Sequence, residues 1–169
     1  MNRRSTQNGY RPSIERLKID LHQIISIFLA SRPLAKLVAR EPEYVTRDLV
    51  MHELVETEIC RLLLSTAITL RVLDDREHRD LDCFSLHCGT LIMNTKQPNV
   101  AKRLTIREAC NKIIHATDVH YERLSELSAY QYLDLSFRLE GAHRDGTTWI
   151  AIINAYEFAR EGLRATHYL

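Results

Sequence analysis

Glycine and proline are scarce in this chain, five and four among 169 residues, and there is one tryptophan. That scarcity excludes collagen-like repetition, and a 45% hydrophobic share excludes a disordered chain. No charge of one sign prevails: 23 Lys and Arg face 22 Asp and Glu, for a formal net charge of +1. The molecule as a whole is therefore not a polyanion binder, although a local basic patch stays open. Long apolar runs are also missing. A membrane-crossing helix needs roughly 18 to 20 nearly charge-free residues, and Arg61, Arg71 and Asp74 bracket the most apolar region. No membrane partner is expected.

Cysteine is limited to Cys60, Cys83, Cys88 and Cys110, dispersed in a chain with enough apolar mass to fold without staples. Cys83, His87 and Cys88 lie close together but have no second pair at zinc-knuckle spacing, so buried thiols are expected and no metal site. GxxxxGK, GxSxG and HExxH motifs are all absent, and no cofactor is expected. The opening MNRRSTQNGYRPS runs into an amphipathic pattern with Glu15, Lys18, Asp20 and His22 instead of an apolar signal segment. The expected location is cytoplasmic.

What is present suits one domain, large enough to bury roughly two-thirds of its unfolded surface. The expected fold class is α+β, predominantly α: a helical bundle with a C-terminal antiparallel β-hairpin and a terminal helix. Residues 1–12 form a flexible arm, and 13–169 form the domain, with the hairpin at about 131–153. Ser13 caps a helix in which Ile14, Leu17, Leu21, Ile24, Ile25 and Phe28 make one stripe, ending near Ser31. Pro33 starts a second segment through Arg40, with a bend near Ser31. Thr46 caps a long helix to Leu73 that buries Leu49, Val55, Ile59, Leu62, Leu63, Thr66, Leu70 and Leu73. The DDREHRD run at 74–80 reads as a solvated exit loop. Between Leu81 and Val100 the periodicity fades, leaving Thr90–Met93 as a short strand or an ordered connection.

The region after Leu104 has sharper signals. Thr105 and Glu108 have capping-box spacing, so a helix starts there and runs to about 117. Ile106, Ala109, Cys110, Ile113 and Thr117 make its core side; Arg107, Glu108, Asn111, Lys112 and His115 make the other. After a loop at 125–129, Leu133, Leu135, Phe137 and Leu139 alternate with Asp134, Ser136, Arg138 and Glu140, which describes a strand with one buried face. Asp145-Gly146 turns the chain, residues 147–152 return with Trp149 in the core, and Asn154 with Glu157 caps a final helix to about 165.

Arg107, Asn111 and His115 are four residues apart and form a ridge roughly 12 Å long on a helix. Such a ridge can orient a phosphate with Arg107, hydrogen-bond it with Asn111 and exchange a proton through His115. In metal-independent RNA cleavage, a general base takes the proton of the attacking ribose 2′-hydroxyl and a cation stabilises the charge that builds on phosphorus. His115 is the candidate base and Arg107 the candidate charge stabiliser. The same residues also suit an ordinary polar helix face, with Glu108 and Lys112 as an i,i+4 pair.

The segment REACNKIIHA resembles the conserved helix of the HEPN superfamily, helical-bundle proteins many of which are RNases of toxin, defence and CRISPR-associated systems. The likeness covers about ten residues. In the family an Arg directly precedes a polar residue, often Asn, and a His follows after four to six positions. Asn111 and His115 fit that pattern, whereas Cys110 occupies the Arg position. The resemblance implies RNA as a substrate and a dimer in which Arg107 of one chain approaches His115 of the other.

Lys102, Arg103, Arg107 and Lys112 are the candidate RNA-binding cations, with Lys96 and Tyr121 or Tyr132 nearby, but no RNP-like aromatic motif accompanies them. The expected function is that of a small cytoplasmic interaction protein whose partner is a second copy or another protein. The alternatives are a metal-independent endoribonuclease using His115 and a protein that binds a small ligand between bundle and hairpin.

Overall fold

The computed structural model describes residues 12–39, 53–77, 85–126 and 130–167. The expected arm up to residue 11, the cap at Thr46 and the loop residues 127–129 lie outside this set. The described elements, in chain order, are α1 (Ile14–Val38), α2 (Leu54–Glu77), β1 (His87–Ile92), β2 (Ala101–Thr105), α3 (Ile106–His115), β3 (Asp118–Glu126), β4 (Tyr130–Ala142), β5 (Thr148–Asn154) and α4 (Ala155–His167). The fold is α+β and rich in helix, and it contains the C-terminal hairpin and terminal helix. That hairpin belongs to a five-stranded antiparallel sheet of order β2-β1-β5-β4-β3.

Ser13 Oγ accepts the Arg16 N–H and opens α1, whose Leu17, Leu21, Ile24 and Phe28 are buried. The expected bend near Ser31 and restart at Pro33 do not occur, because α1 runs through Pro33 to Val38. Pro33 and Leu29, whose carbonyl loses its intrahelical donor, both lie on the exposed side, where water can take that acceptor. Meanwhile Ser31, Ala35 and Val38 are buried, and Ser31 Oγ accepts the Leu133 N–H of β4 at 2.6 Å. The last turns of α1 are thereby tied to the sheet.

Helix α2 buries Ile59, Leu62, Leu63, Thr66, Leu70 and Leu73, as the periodicity requires. It continues to Glu77 and does not end at Leu73, so the first residues of the expected exit loop are helical. Arg71 donates to Asp74 and to Asp75, both at 3.1 Å, which ties those carboxylates to the preceding turn.

Cross-strand register sorts the sheet into two faces. Leu91, Trp149, Ala151, Ile153, Phe137 and Leu139 share one face and are buried against Leu21 and Ile24 of α1, Ile59 and Leu70 of α2, Ile106 and Ala109 of α3 and Phe158 of α4. Helices pack on this face; at the margins of the opposite face the last turns of α1 meet Tyr130 and Tyr132, and α4 lines a cavity with Thr90 and Arg103. Strands β2 and β3 are its opposite edges, and α3 joins them directly. Four interstrand spacings amount to about 19 Å, and ten helical residues rise about 15 Å. Helix α3 consequently crosses the sheet from one edge to the other.

Two glycines set the closeness of this packing. A Cβ on Gly141 would lie 2.3 Å from Trp149 Cζ2, so the indole of β5 passes over the β4 backbone where a side chain would stand. A Cβ on Gly89 would lie 2.0 Å from the Ile152 carbonyl oxygen, which cannot move without breaking the β1–β5 pairing. Gly146 differs: its φ of 83° is left-handed, and the space around it is open. Gly89→Ala is expected to cost about 3 kcal/mol in urea unfolding through overpacking, and Gly146→Ala about 1 kcal/mol through backbone strain alone.

Candidate functional site

Helix α3 begins as its sequence dictates. Thr105 Oγ1 accepts the Glu108 N–H at 3.2 Å, and Glu108 Oε2 accepts the Thr105 N–H at 3.3 Å. Ile106, Ala109 and Cys110 are buried. The helix ends at His115, short of Thr117, which is exposed and turns toward β4 by donating its N–H to the Glu140 carbonyl at 2.9 Å.

The polar side of α3 is occupied by contacts within the protein. Arg107 reaches α2, pairing with Asp74 and, at 3.1 Å, with Asp75, the two carboxylates that also hold Arg71. Glu108 pairs with Lys102 of β2 at 2.5 Å and not with Lys112, which corrects the expected i,i+4 pair. Lys112 lies over the Trp149 ring instead, 4.0 Å from its centroid, where the ring face attracts the ammonium. Burial pushes the Lys112 ammonium below the usual lysine range, with Lys102 adding to that effect and Glu108 opposing it. For Glu108 burial acts upward, but Lys102 and the Thr105 N–H and hydroxyl outweigh it and hold the carboxyl below its ordinary value.

Arg107, Asn111 and His115 do share one ridge of α3, with Asn111 half-buried and His115 exposed at the last turn. The ridge differs from a bare phosphate cradle because Asp74 and Asp75 neutralise the Arg107 guanidinium and oppose an approaching anion. The four candidate RNA-binding cations are not brought together. Lys102 is register partner to Leu91 and Arg103 to Thr90, so Arg103 projects from the sheet face opposite α3. Tyr121 is on the helix side, its hydroxyl 3.1 Å from Cys60 Sγ of α2.

The face opposite α3 carries a pattern that the sequence reading passed over. Arg103, Thr90, Ile152, Arg138 and His120 stand side by side in one row across the five strands, and Ala101, Ile92, Ile150, Glu140 and Asp118 make the adjacent row. Ile152 is 41% exposed, although its strand is central to the sheet. The signal for it was the run Trp149–Ile153, which is apolar on both faces of a strand and not on alternate residues.

Cys88 and Cys110 are buried, and no group of three or more His, Cys, Asp or Glu side chains suited to a metal ion occurs among the described residues. No described helix is long and apolar enough to cross a membrane. An apolar cavity of about 290 Å³ lies between α1, Val55 and Leu133 of β4, the kind of place a small ligand between helices and hairpin would use.

Arg107→Ala is expected to lower stability on the order of 0.5 kcal/mol, since the guanidinium is 46% exposed and solvent screens the pair. A double-mutant cycle with Asp74→Ala should recover most of that amount as coupling energy. Burial pushes the Cys88 thiol up to about 12, with Glu157, Glu161 and Glu108 adding to it, and burial raises Cys110 as well. Below pH 9 these thiols are protonated in folded and unfolded chains alike. From pH 9 toward 12 only the unfolded chain releases the protons, so urea midpoints should fall as pH rises, with a shallower slope in Cys88→Ala.

Compared with protein-family models, with curated proteins and with solved structures, the chain matches none of the three.

Proposed function

We propose that this chain is an interaction domain that pairs with a second copy of itself through the face of its sheet opposite α3. The observation that carries this reading is the self-complementarity of the two rows on that face. A two-fold axis lying between two such sheets, perpendicular to the strands, exchanges the rows. Ile152 then meets Ile150 of the second copy, Arg138 meets its Glu140, and His120 meets its Asp118. Apolar contact falls at the central strand and opposite charges fall beside it, the arrangement that fixes register in an association.

Within one chain Arg138 and His120 already lean on Glu140, at 3.2 and 3.5 Å. These are partly exposed pairs that contribute little, so exchanging them between copies costs little. The available face is five strands wide and six or seven residues long, roughly 500 Å² per copy, which belongs to reversible association and not to an obligate dimer. Pairing on this side also leaves α3 at the back, so it differs from the α3-to-α3 dimer that the HEPN resemblance implies.

Sedimentation over about 1 to 100 µM chain should show a monomer passing to a dimer. Ile152→Asp should stay monomeric with an unchanged circular dichroism spectrum. Arg138→Glu should weaken association, and adding Glu140→Arg should restore it, while His115→Ala should leave the mass distribution as it is. A wild-type chain that remains monomeric throughout overturns the proposal. So does a dimer that His115→Ala dissociates, or cleavage of single-stranded RNA in EDTA that His115→Ala abolishes, either of which returns the function to α3.

A further inference from the structure

A cavity of about 580 Å³ opens between α4 and the first residues of β1, bounded on its far side by Arg103 of β2. It is separate from α3, and although Arg103 and Thr90 at its rim stand at the end of one sheet row, it includes none of Ile152, Ile150, Arg138, Glu140, His120 and Asp118, whose contacts pair two sheets. Glu157, Arg160, Glu161 and Arg164 recur at three- and four-residue steps, so one side of α4 forms its wall.

The wall is built around a buried carboxylate. Glu161 is 2% exposed, which is costly for an ion unless it is fully paired. Arg160 Nε donates to Glu161 Oε1 at 2.7 Å, and Arg164 Nη1 donates to Glu161 Oε2 at 3.1 Å. Arg160 Nη2 also pairs with Glu157. One guanidinium would neutralise Glu161, yet two are held to it. Each has five N–H donors and uses only some of them here. Arg164 keeps Nε and Nη2, while Arg160 is shared among Glu161, Glu157 and Tyr156 and adds its charge. Arg103, across the cavity, makes no ion pair among the described residues. Three guanidinium groups against two carboxylates leave an excess positive charge within one cavity, two of those groups pre-oriented by a buried anchor.

We infer that this cavity binds a small phosphorylated molecule, its phosphate held between Arg103 and the Arg160–Arg164 pair, with Glu161 as the residue that positions the pair. Guanidinium forks match phosphate oxygens in geometry and charge. The cavity is larger than a lone phosphate needs and falls in the size range of small-molecule sites. His87 at its edge offers a further donor or acceptor for the remainder of the ligand.

Isothermal titration of the full chain with ribose 5-phosphate and, separately, with inorganic phosphate tests the assignment. Ribose 5-phosphate is expected to bind, and to bind more tightly than inorganic phosphate. Arg103→Ala should weaken it at least about tenfold without moving the thermal midpoint, and Arg164→Ala should weaken it as much with a lowered midpoint but an unchanged circular dichroism spectrum, since Arg160 still holds Glu161. Lys96→Ala, away from the cavity, should bind as the wild type does. Absence of heat from both probes at about 10 mM overturns the inference. Equal affinity in Arg103→Ala, Arg164→Ala and wild type overturns it too, as does tighter binding of inorganic phosphate than of ribose 5-phosphate. Chain mass, read by sedimentation, reports separately on the pairing of two sheets, so failure of one proposal does not register as failure of the other.

Discussion

Helix α3 has to cross the sheet, and most of the molecule is arranged around that crossing. It joins the two outermost strands, so the chain between Thr105 and Asp118 spans the full width of the helix-covered face. The surface beneath it is Trp149, 2% exposed, with the backbone of Gly141 below the indole and the Lys112 ammonium above. A tryptophan is large enough to fill the space under a crossing helix, and only a residue without a side chain lets it lie across the neighbouring strand. The Lys112 stem covers apolar ring while its charge stays at the ring face, which is how a long cationic side chain can serve in packing.

The crossing also accounts for the polar side of α3. Glu108 closes the capping box and holds Lys102 of the preceding strand; Arg107 fastens the helix to Asp74 and Asp75 of α2. These residues read as a chemically loaded ridge when the helix is considered alone, and as anchors once its neighbours are in place. Because α1, α3 and α4 lie on the same face of the sheet and α2 packs upon them, the middle of the polar and apolar rows on the opposite face carries no helix among the described residues. Near-zero net charge at the level of the chain thus coexists with local segregation: alternating charge on the open face, a surplus of guanidinium in the cavity beside α4.

Buried polar groups mark the joints between layers. Asp20 of α1 accepts from Ser65 of α2 at 3.1 Å, and Ser31 accepts from the Leu133 backbone. Thr66 Oγ1 donates to the Leu62 carbonyl of its own helix at 2.8 Å, and Glu161 is held between two arginines. Each removes a group from water and supplies a partner; the Asp20–Ser65 and Ser31–Leu133 bonds, which cross between elements, restrict the layers to one relative placement, whereas those of Thr66 and Glu161 lie within one helix.

Much of this was legible in the residues themselves. The caps at Ser13, Thr105 and Asn154, the alternation from Leu133 to Leu139, the Asp145-Gly146 turn and the burial of Trp149 all rest on spacings of one to four residues, and the chain obeys them wherever it stands in the fold. The edge strands β2 and β3 were not legible, because Ala101–Thr105 and Asp118–Glu126 carry charged residues where an interior strand carries apolar ones, as edges open to water do. Nor was the continuity of α1 past Pro33, which depends on buried contacts of its final turns. Local spacing placed Arg107, Asn111 and His115 on one ridge. Only the packing of α2 against α3 decided that Arg107 is neutralised by carboxylates more than thirty residues earlier in the chain, and only the pairing of five strands decided that Arg103 faces away from Lys102 and Lys112. Helix and strand periods are properties of a segment, whereas the partner of a charge and the exposure of a sheet face are set by which segments meet.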